Sequence, residues 1–364
     1  MKATADNSAP IKTMEPAPKL KIVVDAMGGD FAPGNEVKGA VDALRHSSNR
    51  LEIILVGNER AIREQLNAYG ADGLALSVID APEVISMEDS PTAALKQKKN
   101  SSLSVGMRLH QEGKADAFVS AGNTGAVLSA STLILGRVKG VSRPTIGTFF
   151  PSVKDPVLVM DAGTNVDCRA QHLYQFAVMG SIYYKKIMKK ENPNVGLLNV
   201  GEEKSKGTEV VLEAYKLLSE SSLNFVGNVE GRDILKGTVD VVVCDGFVGN
   251  IVLKFGESVP HFLKARLTSV ANRNFFYKIL VGLARGALRT ALSDMDPNEH
   301  GGVPVLGVNG VSIIGHGSST PRGIQNMIFR AAEVARMHLN RYIEEALAVV
   351  TPTQPTGSAL ATAS

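Results

Sequence analysis

The sequence predicts an α/β fold: a mostly parallel sheet with flanking helices, and a helical hairpin set apart from it. Three observations carry that reading. Short apolar runs alternate with segments of helical periodicity along most of the 364 residues, the pattern of successive βαβ units. Four of those runs end in a small or acidic residue and then a glycine turn: KIVVDAMGGD (21–30), AFVSAGNTGA (117–126), VLVMDAGTN (157–165) and VVVCDGFVGN (241–250), with a weaker fifth copy, SIIGHGSST (312–320). One stretch, 247–292, drops the alternation and reads as two long helices.

Taken in order, strands are expected at 21–25, 52–56, 75–79, 117–120, 145–149, 157–161, 195–199, 224–226, 239–244 and 312–314, each a short, mainly apolar run next to turn residues. Between them, helical patterns mark 35–46, 59–68, 103–112, 125–135, 170–189 and 207–220. In the hairpin, apolar residues recur at Val259, Phe262, Leu263, Leu267 and Val270, then at Phe276, Ile279, Leu280, Leu283 and Ala287, with a turn near 272–274. Residues 254–289 carry seven Lys or Arg against one acid, Glu257. Such a hairpin reads as a packed pair, at a dimer interface with solvated charges, or as a surface for an anionic membrane or an acidic protein, and the two are compatible if it dimerises at its base and binds at its tip. Its candidate contact residues are Lys264, Arg266, Arg273 and Lys278. No Gly/Ser-rich or Pro-rich linker divides the middle, so a single α/β domain over 20–348 is expected, flanked by disordered tails at 1–19 and 349–364.

Composition excludes several classes. Hydrophobic residues at 44% and charged residues at 21% are ordinary for a globular core. Aromatics are only 5%, there is no Trp, and the net charge is +3, so nucleic acid is not an expected partner. The two cysteines, Cys168 and Cys244, have no CxxC spacing, which fits a reducing compartment without disulfides or zinc. No uncharged apolar run reaches the about 18 residues of a membrane span, and the first residues lack the apolar stretch of a signal peptide.

In a parallel sheet all carboxyl ends share one edge, and ligands of open α/β sheets bind there. The glycine turns are therefore expected to converge on one crevice. In DAMGGD, Gly28 and Gly29 follow a strand and precede a helix, which suits a phosphate or a tight turn with a cap. Asp25 and Asp30 would repel an anion there unless they orient donors or hold a metal. Neither GxGxxG nor GK[ST] is present. In SAGNTGA, Asn123 and Thr124 stand between Gly122 and Gly125, either as donors to a carbonyl or phosphate oxygen or as a helix cap. DAGTN repeats the chemistry with Asp161, Thr164 and Asn165, and CDGFVGN with Asp245, Gly246 and Asn250. NVGEEKSKG places Lys206 just ahead of a helix, where it meets a phosphate or only solvent. His316, between two glycines, serves as an acid or base or as an ordinary loop histidine. Cys244 reads as an inert core thiol. No nucleophilic triad and no metal-ligand cluster is visible, and no cofactor is expected.

Together DAMGGD, SAGNTGA, DAGTN, LLNVGEEKSKG, NVEGRD and CDGFVGNIVLK, in this order, resemble the bacterial phosphate acyltransferase (acyl-ACP:phosphate transacylase) family of phospholipid synthesis, over about residues 20–345. The resemblance implies a fold like that of phosphotransacetylases and the isocitrate dehydrogenase group, and a homodimer. It also implies a cytoplasmic enzyme resting on the inner face of the membrane, near the glycerol-3-phosphate acyltransferase that would use its product. The implied reaction takes a fatty acyl thioester on acyl carrier protein and inorganic phosphate to acyl phosphate and free carrier protein.

The residues suit that chemistry. A phosphate dianion is itself the nucleophile, with a second pKa of about 6 for a phosphate ester as guide, and a thiolate leaves readily at a pKa of about 8.5. What remains to supply is orientation and oxyanion donors. Lys206 and Asn250 are the expected contacts to phosphate or oxyanion, Asn123 and Thr124 assist, and Gly28 and Gly29 shape the pocket. Three other readings stay open: a soluble phosphotransacetylase acting on acyl-CoA, a metal- and NAD-dependent dehydrogenase, and a non-catalytic membrane scaffold.

Overall fold

The computed structural model describes residues 19–291, 295 and 297–348; apart from Lys19, the expected tails lie outside them. The first part of the chain forms β1 (Leu20–Asp25), α1 (Gly34–His46), β2 (Leu51–Gly57), α2 (Glu59–Ala68), β3 (Leu76–Asp80), α3 (Pro91–Gln97), α4 (Ser102–Gln111), β4 (Ala117–Ser120) and α5 (Thr124–Ala130), which continues as a π turn (Ser131–Leu135). The middle forms β5 (Thr145–Phe150), β6 (Val157–Met160), α6 (Ala170–Met188), β7 (Val195–Leu198), α7 (Glu209–Ser219), β8 (Phe225–Val229), α8 (Gly231–Lys236) and β9 (Val241–Val243). The long helices α9 (Gly246–Ala271) and α10 (Phe275–Ala291) follow, then α11 (Pro297–His300), β10 (Val303–Leu306), β11 (Ser312–Ile314), α12 (Pro321–Met337) and α13 (Leu339–Ala348).

All strands join one 11-stranded sheet in the order β3-β2-β1-β4-β11-β10-β5-β6-β9-β7-β8. Its strands are apolar on both faces because both are covered. Ile22 and Val24 pack with α1, α6 and α12 in one core, while Val23 packs with α4 and α5 in another. Beyond β5, Val157, Val159 and Val242 pack against α8 and α9.

The strand directions decide where the site can be. β3, β2, β1, β4 and β11 run parallel to one another. β10 is antiparallel to both β11 and β5, and β5 is antiparallel to β6. From β6 onward β9, β7 and β8 are parallel again. An odd number of reversals separates the two halves, so their carboxyl ends lie on opposite edges. The expectation of one crevice is corrected here: DAMGGD, SAGNTGA and GHGSS share one edge, and DAGTN, CDGFVGN and NVGEEKSKG share the other. Helix α5, of 7 residues, and its π turn, of 5, start at the SAGNTGA turn and bring Leu128 and Thr132 to the same cleft as Asn165.

Each of the ten expected strands coincides with a strand, and β10 was not expected. The hairpin turn falls between Ala271 and Phe275, as its apolar spacing requires. Among the described residues no helix is long and apolar enough to cross a membrane.

Candidate active site

At the edge formed by β6, β9 and β7, the turn after β6 wraps around one carboxylate. Asp161 is fully buried. Its Oδ1 accepts the amides of Gly163 and Thr164, both at 2.9 Å. Its Oδ2 accepts Thr164 Oγ1 at 2.6 Å, the Asn165 amide at 2.8 Å and Asn165 Nδ2 at 2.7 Å. Hydrogen bonds to a charged acceptor are worth more than neutral ones, so this carboxylate braces the turn. Asn165 Nδ2 also reaches Pro144 O at 2.9 Å, tying the turn to the start of β5.

Helix α9 presses its first turn onto that brace. Asp245 caps it by accepting the Val248 amide at 2.8 Å. The Gly246 amide donates to Asn165 O at 2.8 Å, and a Cβ on Gly246 would stand 2.7 Å from the Asn165 nitrogen. Gly249 sits so close to the Asp161 carbonyl that no side chain fits. Asn250, next along, faces Gly163: a Cβ there would lie 3.2 Å from the Asn250 side chain. Gly163 has φ +129, which that close approach and the tight wrap favour for glycine alone. Asn250 is exposed, and its amide has no hydrogen-bond partner among the described residues. The positive end of a 26-residue helix dipole lies behind it.

Lys206 reaches the same edge from β7. Asn199 Nδ2 donates to Lys206 O at 2.9 Å and closes the loop after the strand. The ammonium is exposed and pairs with no carboxylate among the described residues. β7 lies two places from β6 in the sheet, about 10 Å at about 4.8 Å per strand, a span that a lysine and a bound anion can share.

The two cysteines stand in this neighbourhood but are not nucleophiles. Burial, with Asp161 and Asp245 nearby, pushes Cys168 up to about 11. Cys244 is pushed well above the ordinary thiol value by burial, and then by the same aspartates. Both remain thiols near neutral pH, and the thiolate is the reactive form.

The structure adds residues that strand exits do not reveal. Because β5 runs against β6, the start of β5 lies beside the end of β6. That start brings Ser142, Arg143 and Pro144 next to Asn165, and with Leu128, Thr132 and Arg137 they line an open cleft of about 280 Å³. Arg137 and Arg143 were not expected, since the glycine-turn pattern marks only where strands end.

The opposite edge has another character. Asp25 is buried and accepts Ser120 Oγ at 2.7 Å. Glu36 in α1 is buried, and its Oε2 has no partner among the described residues. A Cβ on Gly28 would meet Asp25 Oδ2 at 2.7 Å and the Gly122 nitrogen at 2.9 Å. Gly28 and Gly29 thus let two turns close over the buried carboxyl groups of Asp25 and Glu36. Asp30 is exposed, its amide bonded to Gly317 O. Asn123 caps α5 through the Ala126 amide at 3.0 Å, while its Nδ2 donates to the carbonyls of Ser86, Met87 and Asp89. Its amide is thus engaged on both its oxygen and its nitrogen, and Gly122, Thr124 and Gly125 stand beside it at the start of α5. His316 Nδ1 lies 2.8 Å from Ser318 Oγ on the same side. Asp245 and Asn165 are at the expected edge, but as cap and brace.

One carboxylate cluster among the described residues has metal-like spacing: Glu202, Glu230 and Asp233, within 4.8 Å of one another. Arg232 pairs with Glu202 at 3.7 Å and with Glu230 at 2.5 Å, and Lys236 with Asp233 at 3.6 Å. Those two cations already offset most of the charge of the three acids.

Comparison with known proteins finds relatives of the whole chain named as acyltransferases. The family described as "Fatty acid synthesis protein" matches residues 20–341. A phosphate acyltransferase of Chlorobaculum parvum is 47% identical over 333 residues, covering 89% of this chain and 98% of that protein. One from Pelotomaculum thermopropionicum is 48% identical over 326 residues, covering 90% and 94%. Among solved structures, phosphotransacetylases from Staphylococcus aureus and Streptococcus pyogenes share the fold at 18% and 17% identity, with TM-scores of 0.57 and 0.58. They cover 87% and 90% of this chain, and 94% of each of those chains is matched.

Proposed function

Because the chain belongs to the phosphate acyltransferase family, we propose that it transfers a fatty acyl group from the thioester of acyl carrier protein to inorganic phosphate. The products are an acyl phosphate and free carrier protein. The observation that carries this reading is a pair of unengaged donors at one strand edge, the Lys206 ammonium and the Asn250 amide, beside two cysteines held as thiols.

A phosphate oxygen attacks the thioester carbon and forms the new C–O bond, while the carbonyl electrons move onto oxygen. Asn250 and the start of α9 face that oxyanion, and Lys206 holds the phosphate as a point charge. Collapse breaks the C–S bond, and the thiolate leaves with the electron pair and takes a proton from water. Neither a covalent acyl-enzyme nor a strong base is needed, because phosphate is a dianion above a pKa of about 6. Asp161, Asn165 and Gly246 keep the donors in place.

The test is phosphate-dependent release of carrier thiol from acyl-ACP. Asn250→Ala is expected to lower kcat by about 10²–10³, as for loss of one oxyanion donor, and Lys206→Ala to raise the KM for phosphate. Near-normal kinetics from a folded variant of either would remove that residue from the mechanism. Acyl-CoA in the same assay distinguishes a carrier-protein donor from a soluble one.

The α9–α10 hairpin is the proposed contact surface. Phe255, Phe262, Phe275, Phe276 and Leu283 are exposed on it, as are Lys264, Arg266, Arg273 and Lys278. Apolar and basic groups together suit a dimer base, and a tip that meets acidic carrier protein or an anionic leaflet. There the acyl phosphate would pass to a membrane glycerol-3-phosphate acyltransferase. Reversing Lys264, Arg266 and Arg273 to Glu is expected to weaken binding to carrier protein or to anionic liposomes; unchanged binding to both at low salt would sink the idea.

A further inference from the structure

Resting on the thioester reading above, we propose that the cleft beside Asn165 binds the phosphodiester of the donor's phosphopantetheine arm, with Arg137 and Arg143 as its two cations. Both residues line the cleft. Arg137 makes one hydrogen bond to the Ser142 carbonyl at 2.5 Å, and Arg143 one to the Asp167 carbonyl at 2.7 Å. Neither pairs with a carboxylate among the described residues. A guanidinium has five N–H donors, so most remain free to fork onto phosphate oxygens. These bonds to backbone also fix the two heads, which lowers the ordering cost of binding.

The cleft has room for far more than inorganic phosphate. Its volume of about 280 Å³ equals roughly nine waters at about 30 Å³ each, well beyond one such ion. Its lining is mixed: Leu128 and Pro144 are apolar, Thr132 and Ser142 bear hydroxyls. That mixture fits a chain of methyls and amides ending in a phosphodiester. Asn165 belongs both to the cleft and to the turn around Asp161, so an arm held there directs its thioester toward Asn250. Acyl carrier protein and CoA both carry this arm.

Titration of the full chain with 4′-phosphopantetheine and with pantetheine, read by calorimetry, tests the subsite without turnover. Wild type is expected to bind the phosphorylated arm at least tenfold more tightly, as for contacts to a charged group. Arg143→Ala and Arg137→Ala should erase that difference, and Arg143→Lys should restore part of it. In turnover, the KM for acyl-ACP and for acyl-CoA should rise about tenfold in Arg143→Ala, with the KM for phosphate unchanged. An acyl-N-acetylcysteamine, which lacks the phosphodiester, should be handled equally by wild type and variant. Equal binding of the two arms by wild type would overturn the proposal. So would a rise confined to the KM for phosphate, which would make the cleft an inorganic-phosphate site. Should phosphate-dependent thioester cleavage be absent while the Arg-dependent preference persists, the subsite stands and the reaction assigned above falls.

Discussion

Asp161→Asn keeps the shape of the side chain and replaces one acceptor oxygen with an NH₂ group. In the native turn that carboxylate takes donors from Gly163, Thr164 and Asn165 on both oxygens. With Asn in either orientation, two N–H donors face the NH₂ group: Gly163 and Thr164 on one side, or the two Asn165 nitrogens on the other. The Thr164 hydroxyl can turn round and accept. Each buried donor left unmatched costs about 1–3 kcal/mol, so the loss should be about 2–6 kcal/mol, partly relieved because Asn165 Nδ2 keeps Pro144 O. Urea denaturation followed by circular dichroism measures it, with unchanged slope showing that the end states are the same. Turnover should fall as well, since α9 and Asn250 rest on this turn. A variant that loses less than about 1 kcal/mol, or that keeps full activity, would refute the view that Asp161 braces the site.

Other expectations follow from the same geometry. Burial, reinforced by Asp25 and Asp30, pushes Glu36 up to about 7 from 4.5. The folded chain thus keeps a proton that the unfolded chain has released, and stability should fall as pH rises from about 4.5 to 7, by about 3 kcal/mol in all. Glu36→Gln should be more stable than wild type at pH 8 and nearly equal at pH 4; parallel stability curves for the two proteins would contradict this. Cys168→Ala and Cys244→Ala should each retain turnover within a few-fold, and mass spectrometry should find no acylated cysteine; a trapped acyl-cysteine would overturn the direct attack by phosphate. Asn123→Ala should cost about 0.5–2 kcal/mol through the lost cap, and more through the carbonyls it clamps, with kcat little changed. A large fall in kcat at unchanged stability would return Asn123 to the chemistry.

Much of the fold was legible locally. Strands such as KIVVD and VVVCD need only a short apolar run with turn residues beside it, and both faces of this sheet are buried. β10 escaped because VPVL contains Pro304, which has no N–H to give a ladder. The strand tolerates it because pairing changes partner along its length: Val303 and Pro304 face β11, Val305 and Leu306 face β5. The reversal of the second half left one usable signal. Only residues 151–156 separate β5 from β6, too few for the dozen or more that a parallel crossover requires. That spacing demands an antiparallel pair; the opposite edges also depend on β10, which is antiparallel to both β11 and β5.

The candidate site divides in the same way. Residue type and a position just after a strand singled out Asp161, Thr164, Asn165, Asp245, Asn250 and Lys206. They could not separate Asn250, whose amide is unengaged, from Asn123, whose amide is taken up by four neighbours, because both are Asn in a glycine turn. Arg143 precedes a strand, so nothing local connects it to residues that follow one.

By itself the sequence determined the chemistry available: glycine turns, amide and ammonium donors, no reactive thiol and a basic hairpin, with a family likeness spanning the chain. Only the tertiary structure decided which of these meet. Strand direction is set by pairings between residues far apart in sequence, and three reversals between β11 and β6 carry half of the turns to the far edge, the last of them bringing Arg137 and Arg143 beside Asn165.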